Sequence, residues 1–160
     1  MAVRCRLFTL TLFMCSPLFA QACPDCNVTP KSLTEMRNCY RPLLVFSPSG
    51  NDPRLKQQSA RLDAAADDMM DRFVMYTPVL NTTKDFQAPL DTPFTLLNVK
   101  EMHLIRSRFH IPAEQFTVML IDEDGSEKLR STRPVTANRL NTLIDTLPAR
   151  KREMQRPHAN

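Results

Sequence analysis

The sequence predicts an α/β fold in which helices cover both faces of a mixed sheet. Three observations predict it. A continuous apolar run, Leu43-Leu44-Val45-Phe46, gives way to turn residues, a helix start at Asp52-Pro53 and a long apolar stripe. A second strand pattern, Phe116 to Asp122, runs into Asp124-Gly125, a strong hairpin signal. After the hairpin a last amphipathic stripe closes the chain.

Each element has a local reason. Arg41-Pro42-Leu43-Leu44-Val45-Phe46 is short, apolar and bounded by Pro and turn residues, the pattern of a strand buried on both faces. Ser47-Pro48-Ser49-Gly50-Asn51 is loop chemistry, and Asp52-Pro53 supplies a helix N-cap with Pro at the first helical position. Leu55, Ser59, Leu62, Ala66, Met69 and Phe73 then recur every three or four residues, the stripe of one helix of about five turns, with Met69 and Met70 as core filler. Phe73 to Tyr76 reads as the second strand, and Thr77 to Thr95, with Pro78, Pro89 and Pro93, as a long loop. Asn98 caps a further helix with Met102, Ile105 and Phe109 inward, ending before Pro112. His103 and His110, seven residues apart, make a poor metal pair and are expected at the surface. Phe116 to Asp122 is the clearest strand, with Glu127-Lys128-Leu129-Arg130 returning beside it. Thr136 opens a final helix with Leu140, Leu143, Ile144 and Leu147 inward, stopped by Pro148; Lys151 to Gln155 resumes helix in solvent.

The strand-helix-strand start favours parallel pairing through a right-handed crossover, and the hairpin adds antiparallel strands. That order, β-α-β-α-β-β-α, is the layout of a thioredoxin-like three-layer α/β/α domain, assigned to residues 41–148. A leader, 23–40, precedes it and a basic tail, 149–160, follows; Arg150, Lys151, Arg152 and Arg156 in that tail read as a solvated helix end.

Composition excludes several functions. Of 160 residues only Gly50 and Gly125 are glycine, too few for a dinucleotide fingerprint or a phosphate-cradling loop. Residues 1–22 read as an export signal: Arg4 and Arg6, an apolar stretch from Leu7 to Met14, and Ala20-Gln21-Ala22 as cleavage site. Without Arg4 and Arg6 the 21 basic residues fall to 19 against 17 acidic, which removes the electrostatic case for nucleic acid. A periplasmic or extracellular location follows, with no transmembrane helix once the signal is cleaved. Soluble export is preferred to a lipid anchor at Cys23, because Ala20 and Gln21 match a lipidation site only in part.

Three cysteines, Cys23, Cys26 and Cys39, survive cleavage. An oxidising compartment makes a disulfide the default, and a bridge from Cys39 to Cys23 or Cys26 would tie the leader to the first strand. Cys23-Pro24-Asp25-Cys26 has the C-x-x-C spacing of thiol oxidoreductases, but no strand precedes it to set a thiolate at a helix start. Zinc lacks a fourth ligand nearby, and the acidic turn at 122–127 lacks the oxygen pattern of a calcium loop. No cofactor is expected.

The stretches Arg41 to Pro48, Asp52 to Leu55, Leu120 to Ser131 and Ile144 to Met154 resemble the family known as domain of unknown function 4174, over about Arg41 to Arg156. The chain looks like a proteobacterial member; the domain is found also in vertebrate sushi-repeat-containing secreted and matrix proteins. The resemblance implies a peroxiredoxin-like variant of the thioredoxin fold outside the cytoplasm, with no settled activity. A peroxiredoxin loop reads Pro-x-x-x-Thr-x-x-Cys after the first strand. Counted from Pro48, the Thr position falls on Asp52 and the Cys position on Leu55, so the loop is degenerate. A non-catalytic module of the cell envelope, binding a protein or small ligand through Ser47 to Arg54 and Pro78 to Pro93, is the first expectation. The alternatives are a thiol oxidoreductase or peroxiredoxin-like enzyme using Cys23 and Cys26 with Cys39 as resolving thiol, or a lipid-anchored envelope protein.

Overall fold

The computed structural model describes residues 26–155. Residues 1–22, which the sequence reading takes as an export signal, lie outside the described residues, as do Cys23 and Arg156. The elements follow in the order α1 (Leu33–Met36), β1 (Arg41–Ser49), α2 (Pro53–Asp63), α3 (Ala66–Asp71), β2 (Val74–Thr82), α4 (Val99–Phe109), β3 (Thr117–Ile121), β4 (Glu127–Ser131), α5 (Ala137–Thr146) and α6 (Pro148–Met154). The sheet order is β2-β1-β3-β4, with β1 parallel to β2 and antiparallel to β3, and β4 antiparallel to β3. This is the mixed sheet that the strand-helix-strand start and the hairpin predict.

Three prolines sit inside strands, and hydrogen-bond direction explains each. The Arg41 amide donates to the Phe73 carbonyl. Odd residues of β1 therefore aim N–H at β2, and even residues aim at β3. Pro42 and Pro48 are even and lie on either side of Leu43–Phe46, the stretch paired with β3. Their missing donors fall where no ladder needs them. In β2 the Tyr76 amide donates outward to the Pro93 carbonyl, so Pro78 loses an N–H only on that outer edge.

Side-chain alternation sets the two faces. Phe46 meets Phe109 of α4 edge-on at 6.4 Å, and Thr77 Oγ1 lies 4.0 Å from Met36 Sδ of α1. The opposite face carries Arg41, Leu43, Val45 and Tyr76 towards α2, α3, α5 and α6. Gln58 of α2 ties those helices together: buried, it donates to the Val135 carbonyl at 3.2 Å and accepts from the Val135 amide at 2.7 Å.

Several sequence expectations need correction. The single five-turn helix is two, because the Ala65 amide bonds back only three residues to Leu62 and Ala65 leaves the helical region at φ −135°. Leu62 and Met69, seven apart, keep their shared inward face across the break, whereas Met70 is 48% exposed and is not core filler. Phe73 is not part of the inner stripe: it takes left-handed φ 52° after α3 and is half-exposed. The second strand does not stop at Tyr76 but continues through Pro78 to Thr82. Pro148 both ends α5 and starts α6, and Arg150 is no solvated tail residue, being 7% exposed.

Arg150 belongs to a charged cluster centred on Arg41, whose side chain has no solvent exposure. Arg41 Nε reaches Asp122 Oδ1 at 3.2 Å, and its Nη2 reaches Glu153 Oε1 at 2.5 Å and Glu123 Oε1 at 3.3 Å. Its Nη1 donates to the Arg72 carbonyl at 2.9 Å. Arg150 pairs with Asp71 and reaches Glu153 Oε2 at 3.3 Å, while Arg72 holds Asp145 at 2.9 Å. Burial pushes the Glu123 carboxyl up against the pull of the Arg41 charge, and the neighbouring Glu153 and Asp122 add to the rise. Burial acts on Glu153 too, but Arg41's hydrogen bond and charge overcome it and hold that carboxyl low.

Removing the hub leaves buried carboxylates unpaired, so Arg41→Met is expected to cost about 3–5 kcal/mol in urea unfolding. The two glutamates should behave oppositely. Glu153 contributes stability above its unfolded value and loses it as pH falls through its lower folded value. Glu123 contributes stability at acid pH and loses it as pH rises through its raised folded value. At pH 7, therefore, Glu153→Gln lowers the unfolding free energy while Glu123→Gln does not.

Candidate functional site

The predicted loop is shorter than the sequence suggests: Ser47, Pro48 and Ser49 still belong to β1, paired with β2, and only Gly50 to Asp52 turn the chain into α2. The Ser47 hydroxyl donates to the Ser49 carbonyl at 2.9 Å, which closes the turn before Asn51. Asp52 is the N-cap: its Oδ1 accepts from the Arg54 amide at 2.8 Å. The Arg54 guanidinium folds back onto the same carboxylate, at 3.0 Å from Nε and 2.6 Å from Nη2, and lies 5.0 Å from the centre of the Phe116 ring. Arg54's hydrogen bond is the main reason the Asp52 carboxyl sits below its ordinary value. Pro48 is half-buried in the rim, and Leu55, one turn into the helix, points into the core with 2% exposure.

This arrangement binds charge internally: Asp52 carries a paired carboxylate and Leu55 a buried isobutyl group, and no thiol stands at the start of α2. Behind the loop, Arg106 of α4 is buried and donates to three carbonyls: Ser47 at 2.7 Å, Val79 at 2.9 Å and Pro112 at 2.9 Å. Burial lowers its proton affinity. Its role is to hold the ends of β1 and β2 together. No cis peptide bond occurs among the described residues.

The cysteines lie elsewhere. Cys26 and Cys39 form a disulfide, and Cys39 stands two residues before β1. The eight Cα steps from Arg41 to Ser49, at about 3.3 Å each, put roughly 26 Å of strand between this bridge and the turn into α2. Of the two pairings open to Cys39, the structure has the one with Cys26. The bridged leader packs firmly: the Tyr40 hydroxyl donates to the Asn27 carbonyl at 3.1 Å, Thr95 Oγ1 donates to the buried Pro30 carbonyl at 2.8 Å, and Arg37 donates to the Asp124 carbonyl at 2.9 Å. His103 and His110 are exposed, His110 in a left-handed helix C-cap at φ 56°. Among the described residues no group of three His, Cys, Asp or Glu is placed to hold a metal ion, and no helix is long and apolar enough to cross a membrane.

The Pro-rich segment does meet the loop. Gly50 lies under residues 85–86, and a Cβ there would stand 2.3 Å from the Phe86 amide nitrogen. Asp63, at the last turn of α2, anchors the far end: it accepts from the amides of Leu90 (3.1 Å) and Thr92 (3.1 Å) and from Thr92 Oγ1 (2.8 Å). Burial alone would raise this carboxyl, but those donors together hold it below its ordinary value. Neither contact was legible in the sequence beyond the rarity of glycine.

A family model described as "Domain of unknown function (DUF4174)" matches residues 32–153. The chain belongs to that family. Thioredoxin peroxidase I of Plasmodium yoelii superposes with TM-score 0.55 at 18% identity, over 80% of this DUF4174 chain and 84% of its own. The reduced 2-Cys peroxiredoxin of Plasmodium vivax gives 0.54 at 17% identity, over 75% and 84%. Both likenesses establish a thioredoxin-like, peroxiredoxin-like fold. No curated protein matches the sequence significantly.

Two changes test the geometry. Asp52→Ala removes the cap and is expected to cost about 1 kcal/mol at pH 7. That difference should vanish in acid, because the stability Asp52 supplies is lost as pH falls through its lowered folded value. Gly50→Ala forces the Phe86 backbone away; hydrogen exchange at residues 86–92 should accelerate, with a stability loss on the order of 1–3 kcal/mol.

Proposed function

We propose that this DUF4174 protein is an exported, non-catalytic binding module of the cell envelope, using the thioredoxin-like scaffold without its redox centre and without a cofactor. One observation carries the reading: Asp52 and Leu55 occupy the mouth of α2, the first closed by Arg54 and the second buried. Peroxidase chemistry, which the name of the P. yoelii protein states for that protein, needs a thiolate at this place. The surface offered for binding is the turn from Gly50 to Arg54 at the end of β1 together with the segment that Gly50 and Asp63 hold against it. The bridge between Cys26 and Cys39 is read as a staple for the leader. Export rests on residues 1–22 and agrees with a disulfide outside the cytoplasm.

Purified protein is expected neither to reduce insulin disulfides nor to consume hydrogen peroxide with a thiol reductant. Turnover lost on a single Cys→Ser change would overturn the reading. Opening the bridge with reductant should instead lower stability by about 3 kcal/mol, the loop-closure value for a closed loop of this size. Intact mass of the mature protein is expected to begin at Cys23 with no added lipid.

A further inference from the structure

A cavity of about 470 Å³ lies between α2 and residues 86–90, beside the degenerate loop. Its volume and mixed lining fit the size and chemistry of small-molecule sites, which are mostly apolar with few polar groups. Leu55, Ala60, Phe86, Ala88 and Leu90 supply apolar wall; Leu90, at the mouth, is 90% exposed. Tyr76 of β2 forms the floor, its side chain wholly buried and its hydroxyl without a hydrogen-bond partner. Ser59, which also lines the cavity, stands close to it without a hydrogen bond of normal geometry.

An unpartnered buried hydroxyl costs stability, and the fold does not need it there. Burial, with a smaller push from the Asp63 charge, raises the phenol well above its ordinary value, so it stays a donor. What it lacks is an acceptor. The Asp63 carboxylate on the same wall is taken up by Leu90, Asp91 and Thr92, and its charge opposes an anion beside Tyr76. Lys56 lies on the lining too, which opposes a cation.

We propose that this cavity binds a small neutral molecule with an apolar body and a carbonyl group, and that the carbonyl accepts the hydrogen bond of the Tyr76 hydroxyl. The hydroxyl has no solvent contact, so the ligand reaches it by displacing side chains of the 86–90 wall, which carries neither helix nor strand. This deepens the non-catalytic binding reading and rests on it.

Acetophenone and ethylbenzene share a shape, and only the first has a carbonyl. In protein-observed NMR titrations of the disulfide-intact mature protein, acetophenone should bind about 2- to 12-fold more tightly, the worth of one hydrogen bond. Its titration should shift the methyl signals of Ala60 and Ala88. Tyr76→Phe should abolish the preference while melting no lower than the natural chain, since it removes only an unpartnered group. Equal affinity for the two probes, no binding of either, shifts confined to other surfaces, or a preference that survives in Tyr76→Phe would each overturn the site. Redox inertness is read by separate turnover assays, so failure here leaves that conclusion standing and failure there is recognised independently.

Discussion

The guanidinium of Arg41 is wholly buried among three carboxylates, and the architecture is arranged around that fact. It starts the central strand, receives Asp122 and Glu123 from the end of β3, and takes Glu153 from the last helix. Burying this cation is offset by engaging its donors, so β1, β3, the chain before β2 and α6 are fixed relative to one another at one end of the sheet. Arg150 and Arg72 extend the arrangement to Asp71 and Asp145, which brings α3 and α5 into the same cluster. The leader joins this end as well, through the Asn38 amide on the Glu123 carbonyl and the bridge at Cys39.

The other end of the sheet is built differently. There Arg106 holds carbonyls rather than carboxylates, and Asp52 and Asp63 hold backbone amides rather than partner helices. Rigid, charge-locked structure stands at the N-terminal end of β1, and loops pinned by a few hydrogen bonds stand at its C-terminal end. Ligand sites in open α/β sheets favour the carboxyl ends of strands for this reason: loops there can be reshaped without disturbing the core. The division also separates the two things that sulfur could do. The bridge at the locked end stiffens the leader, and the mouth of α2 has no sulfur to activate.

Much of the fold was legible because it follows from periodicity and turn chemistry. The Leu43–Phe46 run, the Asp52-Pro53 helix start, the Asp124-Gly125 hairpin and the Thr136 cap each behave as their residues demand, with Gly125 at φ 83° supplying the left-handed turn. What escaped was long-range polar pairing. In the sequence Arg41 reads as the edge of an apolar run and Arg150 as part of a basic tail, and Gln58 falls outside the apolar stripe of its helix. Each is buried because a partner far along the chain satisfies it, and single-sequence pattern carries no information about such partners. Pro78 misled for a related reason: proline argues against a strand until one knows that its missing donor faces an edge with no ladder bond to lose. In Arg106 and Gln58 there was a faint signal, since both sit three or four residues from buried apolar positions on their helices.

The buried tyrosine links stability to function. A phenylalanine at position 76 would fill the same space between α2 and the sheet without stranding a hydroxyl, so packing alone does not account for Tyr76. Helix α2 could lie closer to the 86–90 segment only if Gly50 and Asp63 did not fix that segment's two ends, one by backbone contact and one by carboxylate. The gap between them is thus a consequence of how the loop is anchored, and Tyr76 lines it with its hydroxyl buried behind the wall. The hollow that results lies against Leu55 and Tyr76, beside the start of α2 and at the carboxyl end of the sheet.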